Sequence, residues 1–223
     1  MKLNYHFNFT LIWRNFDKIA WGLVLSLELA VVCVAIGIVI GLLGAIAYSD
    51  GPRWLGRVVT AYVEFIRNVP LILLVYLMFY GIPSAGGFSY GPVESFIITL
   101  SLYAGAYLVE VFRAGLDAVP KGLLDAGKAI GLTPVQRFLY VRLPTMFRVS
   151  LPSLSNTFVS LFKDTSVASV IAVPELAYAA NWINFSTFRI VEVYAVVTPI
   201  YIVTGYTILF FLRLLERRYA IRR

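Results

Sequence analysis

The sequence predicts an all-α integral membrane protein of about five transmembrane helices, with a cytoplasmic helix between the third and the fourth. Three observations carry this. Of 223 residues, 60% are hydrophobic and only 14% charged, against roughly 25% in a soluble domain, and the mean hydropathy is +0.81. The apolar residues gather in runs long enough to cross a bilayer. The Lys and Arg residues lie mostly between those runs and at the C-terminus, where orientation signals belong. That placement rejects nucleic acid as the reason for the net charge of +7. A single cysteine (Cys33) and a single histidine (His6) exclude a disulfide framework and a multi-Cys or multi-His metal site. Cys33 sits in an unbroken apolar run and reads as a buried, inert thiol. Ala45-Ile46-Ala47 resembles a signal cleavage site, but its apolar run starts near Ile19 and exceeds the ~7–15 residues of a signal h-region, so it reads as a span.

Residues 1–18 mix Phe7, Phe9, Trp13 and Phe16 with Lys2, Arg14 and Lys18, the pattern of an interfacial segment. The membrane domain is expected over 19–212 and a cytoplasmic tail over 213–223. The first span covers about Ile19–Tyr48, with Gly37-x-x-x-Gly41 suited to close packing within the subunit and Ser26 and Glu28 at the interface. The second covers about Thr60–Tyr80. It carries Glu64 and Arg67 on one face and is broken or kinked by Asn68-Val69-Pro70. Residues 81–92, rich in Gly, Pro and Ser and without Lys or Arg, read as an external loop. The third span covers about Val93–Phe112, with Ser101 and Tyr103 at mid-membrane depth.

A polar loop, 113–150, comes next. Leu123–Ile130 is helix-compatible; Gly131 stops it, Thr133 is an N-cap, and Pro134 opens another helix. Leu123, Leu124 and Ala126, with Ile130 and Leu132, give the short helix one apolar face. Periodicity leaves two readings: a helix that docks in a partner's groove, or one lying on the membrane through its Lys and Arg. The fourth span, about Ser150–Val173, holds Asn156, Ser160, Lys163 and Asp164 at i, i+4, i+7 and i+8, roughly one face. Ionisable groups inside a span mark a pathway by default, although Lys163 and Asp164 are also consistent with charges neutralised inside the bundle. Residues 174–187 read as an external loop, and the last span, about Val191–Leu212, as interrupted by Pro199 and Gly205.

Several stretches resemble one family. Asp125-Ala126-Gly127, three residues, Gly131, nine residues, Val141, one residue, Leu143-Pro144 has the spacing of the EAA motif of ABC-importer permeases. Asp stands for Glu, Gly for the second Ala, and Val for Ile. Leu161-Phe162-Lys163-Asp164-Thr165-Ser166, Gly105-Ala106-Tyr107 and the Tyr62–Leu71 stretch are similar to segments of the polar amino acid branch; Asn68-Val69 departs from the Gly-Thr usual there. The resemblance runs over roughly Trp21–Arg218. It implies a permease subunit of a type I ABC importer that carries a polar amino acid delivered by an extracytoplasmic solute-binding protein. It implies a second permease subunit (the same chain or a paralogue) and a dimer of ATP-binding subunits that receives the coupling helix. ATP and Mg then belong to that partner ATPase; no G-x-x-x-x-G-K-[ST] run occurs in this chain, for which no cofactor and no catalytic residue is expected.

With five spans the ends face opposite sides. An external N-terminus places the 50–57 turn, the 113–150 loop and the C-terminus in the cytoplasm, where with Arg67 they hold 14 Lys and Arg, against four outside (Lys2, Arg14, Lys18 and Arg189). A bacterial cytoplasmic (inner) membrane is the expected location. Substrate contacts are expected from Asp164 to an ammonium and from Lys163 or Arg67 to a carboxylate, with Asn156, Ser160 and Ser101 as neutral partners. Asp125, Ala126, Gly127, Gly131, Leu143 and Pro144 are the coupling residues by resemblance. An ABC permease for another small solute, such as an opine, is the alternative; a secondary transporter or a scaffold subunit fits less well.

Overall fold

The computed structural model describes residues 6–87 and 89–219. Lys2, Arg222 and Arg223, counted above as orientation charges, lie outside them. The described residues are 87% helical, with no strand among them. Three helices are long and apolar enough to cross a membrane alone: Phe16–Asp50 (α2), Pro92–Asp117 (α6) and Ile190–Tyr219 (α11). Two more spans form only as broken pairs, Arg53–Asn68 (α3) with Leu71–Gly86, and Pro134–Ile171 with Leu176–Thr187 (α10). Counted so, the expected five are present.

The chain forms two compact units. Unit 1 comprises Met1–Val32, Leu71–Leu100 and Ser160–Thr207. Its core gathers Ile12, from the short helix α1 (Thr10–Trp13), with Ile19, Leu176, Ala180, Ile183, Val193 and Val197. The N-terminal segment is tied down from His6 onward. The Asn8 amide donates to the buried Glu192 carboxylate at 3.0 Å, and Arg189 donates to the His6 carbonyl at 2.8 Å, while Phe7, Trp13 and Phe16 remain exposed.

Two expected external loops in this unit are corrected. Residues 176–187 are helix α10, whose buried Leu176, Ala179, Ala180 and Ile183 follow i, i+3, i+4, i+7, one face of a helix. In the 81–92 stretch, Leu71–Tyr76 (α4) passes through a π-helical turn, Leu77–Gly81, into Ile82–Gly86 (α5) before the chain turns at Gly87. Ser26, expected at the interface, is fully buried. Helix α11 is not interrupted: Pro199 lies inside it, a placement membrane helices tolerate.

Unit 2 comprises Cys33–Pro70, Ser101–Val159 and Ile208–Arg223. Here α2 and α6 meet backbone to backbone. A Cβ on Gly37 would lie 2.7 Å from that of Ala104, and one on Gly41 would lie 2.5 Å from that of Leu108, so this contact requires glycine. Cys33 is buried, as expected. Helix α3 starts at Arg53 rather than near Thr60. It buries Val59, Val63 and Ile66 and turns Arg57, Glu64 and Arg67 outward. It ends before Val69-Pro70 because the residue preceding a proline leaves the helical region; Val69 has φ −103° and ψ 131°. The third span runs five residues past Phe112, to Asp117. Phe112, Leu116 and Val119 extend its buried face onto Met146.

Candidate coupling and translocation sites

The motif segment folds as its punctuation dictates. Pro120 is extended and opens Lys121–Ala129 (α7). Gly131 follows the helix with φ +84°, the left-handed conformation that closes a helix; the Leu132 amide donates to the Gly127 carbonyl and the Gly131 amide to Lys128, both at 3.0 Å. Thr133 then starts Pro134–Arg137 (α8) with a reciprocal cap. Its hydroxyl accepts from the Gln136 amide at 3.3 Å, and the Gln136 side chain accepts from the Thr133 amide at 2.9 Å. A π-helical turn, Phe138–Arg142, leads into Leu143–Asp164 (α9), which opens on the motif's Leu143-Pro144.

Leu124, Phe138 and Leu143 pack onto the unit 2 core around Phe112 and Met146. The outer surface remains apolar: Leu123, Ile130, Val135, Leu139 and Tyr140 are exposed, with Ile130 at 77%. Asp125 and Ala126 are exposed beside them, whereas Gly127 is buried under the stem of Arg137. Next to this surface is a cleft of about 610 Å³, lined by Ile46, Leu124, Val135, Phe138 and the Arg142–Asp50 ion pair (2.6 Å). The segment is thus anchored on one side and presents unpartnered apolar groups on the other.

Of the six residues predicted to meet substrate, Ser160, Lys163 and Asp164 belong to unit 1, and Arg67, Ser101 and Asn156 to unit 2. Along α9, Asn156, Ser160 and Lys163 are exposed and Asp164 is half-buried at its last residue. Ser101 is enclosed, at 3% exposure. Arg67 faces a different group: its Nη1 lies 4.0 Å from Glu110 Oε2, and its guanidinium lies over the Tyr107 ring at 5.2 Å. The same Glu110 oxygen accepts a 2.7 Å hydrogen bond from Arg113, whose guanidinium covers Tyr48 at 5.0 Å.

Unit 1 holds a buried polar cluster that sequence reasoning assigned to a loop. The Glu175 side chain, fully buried, accepts from the amides of Ala177 and Tyr178 at 2.8 Å each, capping α10. It also accepts from the hydroxyls of Ser26 and Tyr201 at 3.2 Å each. The Ser26 hydroxyl in turn accepts from the Leu176 amide at 3.2 Å.

Comparison with known proteins settles what such an arrangement belongs to. Residues 19–221 match the model of the binding-protein-dependent transport system inner membrane component family. The chain belongs to that family. The permease is 34% identical to the probable glutamine ABC transporter permease protein GlnM of Bacillus subtilis, over 95% of this chain and 97% of the relative. It is 37% identical to the L-cystine transport system permease protein TcyB of the same organism, over 88% of this chain and 84% of the relative. Among solved structures it is similar to the crystal structure of an amino acid ABC transporter with histidines, with TM-score 0.88 and 29% identity, covering 96% of this chain and 100% of that one. The resemblance drawn from the 125–144 motif therefore holds for the whole permease. It is a multi-pass component of the inner membrane, and its family works with a binding protein and an ATPase.

Proposed function

We propose that this permease carries a polar amino acid inward, with its N-terminus outside and α7 docked on a partner ATPase in the cytoplasm. The carrying observation is the stripe Asn156, Ser160 and Lys163, exposed on α9, a helix within the membrane domain. Polar and charged side chains cannot remain against lipid tails, so this face requires either a second permease subunit or a water-filled passage. The names of the relatives support amino acid cargo, and they span glutamine and cystine. Asp164 and Lys163, adjacent at the end of α9, offer one group of each sign for an ammonium and a carboxylate. The exposed apolar surface of Leu123, Ile130 and Val135 supports docking: a helix in water with such a face needs a groove to cover it. The partner ATPase supplies ATP hydrolysis; α7 transmits its closure.

The test is ATP hydrolysis by the permease purified with its ATPase in lipid discs, with the binding protein loaded from a panel of amino acids. Stimulation by one loaded form, abolished by Asp164→Asn in an intact complex, is the expected result. Stimulation unchanged by Asp164→Asn would remove this residue from the pathway. Failure of the ATPase to co-purify would remove the docking assignment.

A further inference from the structure

Unit 2 contains a cleft of about 490 Å³ between α3 and α6, within the size range of small-molecule sites. None of Asn156, Ser160, Lys163 or Asp164 lines it. Two helices bring charges of both signs to it in matching pairs three residues apart: Glu64 and Arg67 on α3, Glu110 and Arg113 on α6.

These charges are not fully matched to one another. Glu110 is committed to Arg113 at 2.7 Å, and Arg67 reaches the same oxygen only at 4.0 Å, beyond hydrogen-bond range. The Glu64 carboxylate is exposed and makes no ion pair among the described residues. The Arg113 Nε is a buried donor without an acceptor. One guanidinium and one carboxylate thus stand open on the same face of α3, with Arg67 steadied on the Tyr107 ring. Glu110 lies two turns before the end of α6 that leads into the motif helix, about 10 Å along the axis.

We infer that this cleft is a second ligand site, for a primary ammonium paired with an anion: Arg67 takes the anion and Glu64 the ammonium. The transported amino acid has this pair in its α-groups, as does an ethanolamine phospholipid headgroup; that the free ligand is an amino acid rests on the function proposed above. Arg suits the role because its planar fork meets two oxygens at once. Because only the α-groups are read, the site tolerates many side chains. Both charged groups of the ligand are held by α3, and α6 contributes the facing wall of the cleft through Tyr107, Glu110 and Arg113.

The test is equilibrium binding of radiolabelled L-glutamine to the permease–ATPase complex, without binding protein, in discs of phosphatidylcholine. Asp164→Asn is present throughout to remove the α9 site. Binding is expected to persist, to be displaced by unlabelled L-alanine but not by propionate or propylamine, and to weaken at least tenfold in Glu64→Gln and in Arg67→Lys. Loss of glutamine binding in phosphatidylethanolamine discs assigns the cleft to the headgroup, and equal binding in both assigns it to the free amino acid. No displaceable binding in either lipid, or binding that both variants leave within twofold, overturns the site. Uptake by wild-type proteoliposomes is measured separately, so a failure of amino acid transport is not mistaken for a failure of the cleft.

Discussion

Removing the Glu175 carboxyl should strongly destabilise unit 1 of the permease. Glu175→Ala deletes the acceptor of four hydrogen bonds: two from the first amides of α10 and two from the hydroxyls of Ser26 and Tyr201. Losing a helix cap costs about 0.5–2 kcal/mol, and each buried donor left without an acceptor costs about 1–3 kcal/mol. Ser26 keeps one bond, accepting from the Leu176 amide, so its share is smaller. The sum is about 3–5 kcal/mol, which for a chain of this size lowers the melting midpoint by roughly 6–20 °C. Packing nearby leaves little room to adapt: a Cβ on Gly22 would lie 2.9 Å from the Glu175 carbonyl oxygen. The assay is the fraction of monodisperse complex left after a heating series in detergent at fixed scan rate, since unfolding of such proteins is irreversible. Tyr201→Phe, which removes one donor and leaves three, should cost about 1 kcal/mol. A Glu175→Ala midpoint within about 2 °C of wild type would refute the reasoning, because it would mean that these four bonds add nothing to the folded state.

Two pairs of glycine substitutions test other parts of the structure. Gly41→Ala should lower stability by about 1–3 kcal/mol through overpacking on Leu108, whereas Gly56→Ala, whose new Cβ would meet nothing closer than 3.7 Å, should raise it by roughly 0.5–1 kcal/mol; the same heating series reads both, and equal signs would contradict the packing assigned to α2 and α6. Gly131→Ala meets no atom within 4 Å, so its whole cost is backbone conformation, about 1–2 kcal/mol. Binding-protein-stimulated ATP hydrolysis should fall several-fold in Gly131→Ala and less in Gly131→Asn, since Asn tolerates the left-handed region better.

The parts of the fold legible in the sequence are those set by neighbours in sequence. Pro120, Gly131 and Thr133-Pro134 each act within a few residues, so the motif helix and its caps could be read directly. Gly37-x-x-x-Gly41 likewise announces a close helix contact, though not that Ala104 and Leu108 receive it. Helix α10 shows how a local signal can be lost. Its Leu176, Ala179, Ala180 and Ile183 have helical spacing, but Pro174 before them and Asn181, Trp182 and Asn184 among them look like a loop. What decides the matter is the burial of Glu175 on Ser26, 149 residues earlier, and Tyr201, 26 residues later; no window along the chain holds all three.

The candidate sites were legible for a different reason: they are groups whose needs this chain does not meet. Asn156, Ser160 and Lys163 on an apolar protein, Leu123 and Ile130 in a polar loop, and Glu64 with Arg67 on one face of a span all stand out because a folded subunit alone leaves them uncovered or unmatched. Sequence reasoning placed Arg67 with Lys163 because both are cations at membrane depth. The structure gives Arg67 neighbours of its own in Glu110 and Tyr107, on which the second-site proposal rests. Unmet polarity shows where a partner must come from, and its chemistry narrows which one. An apolar knob calls for a groove, a polar stripe in lipid for another subunit or water, and an open pair of opposite charges for a ligand that carries both.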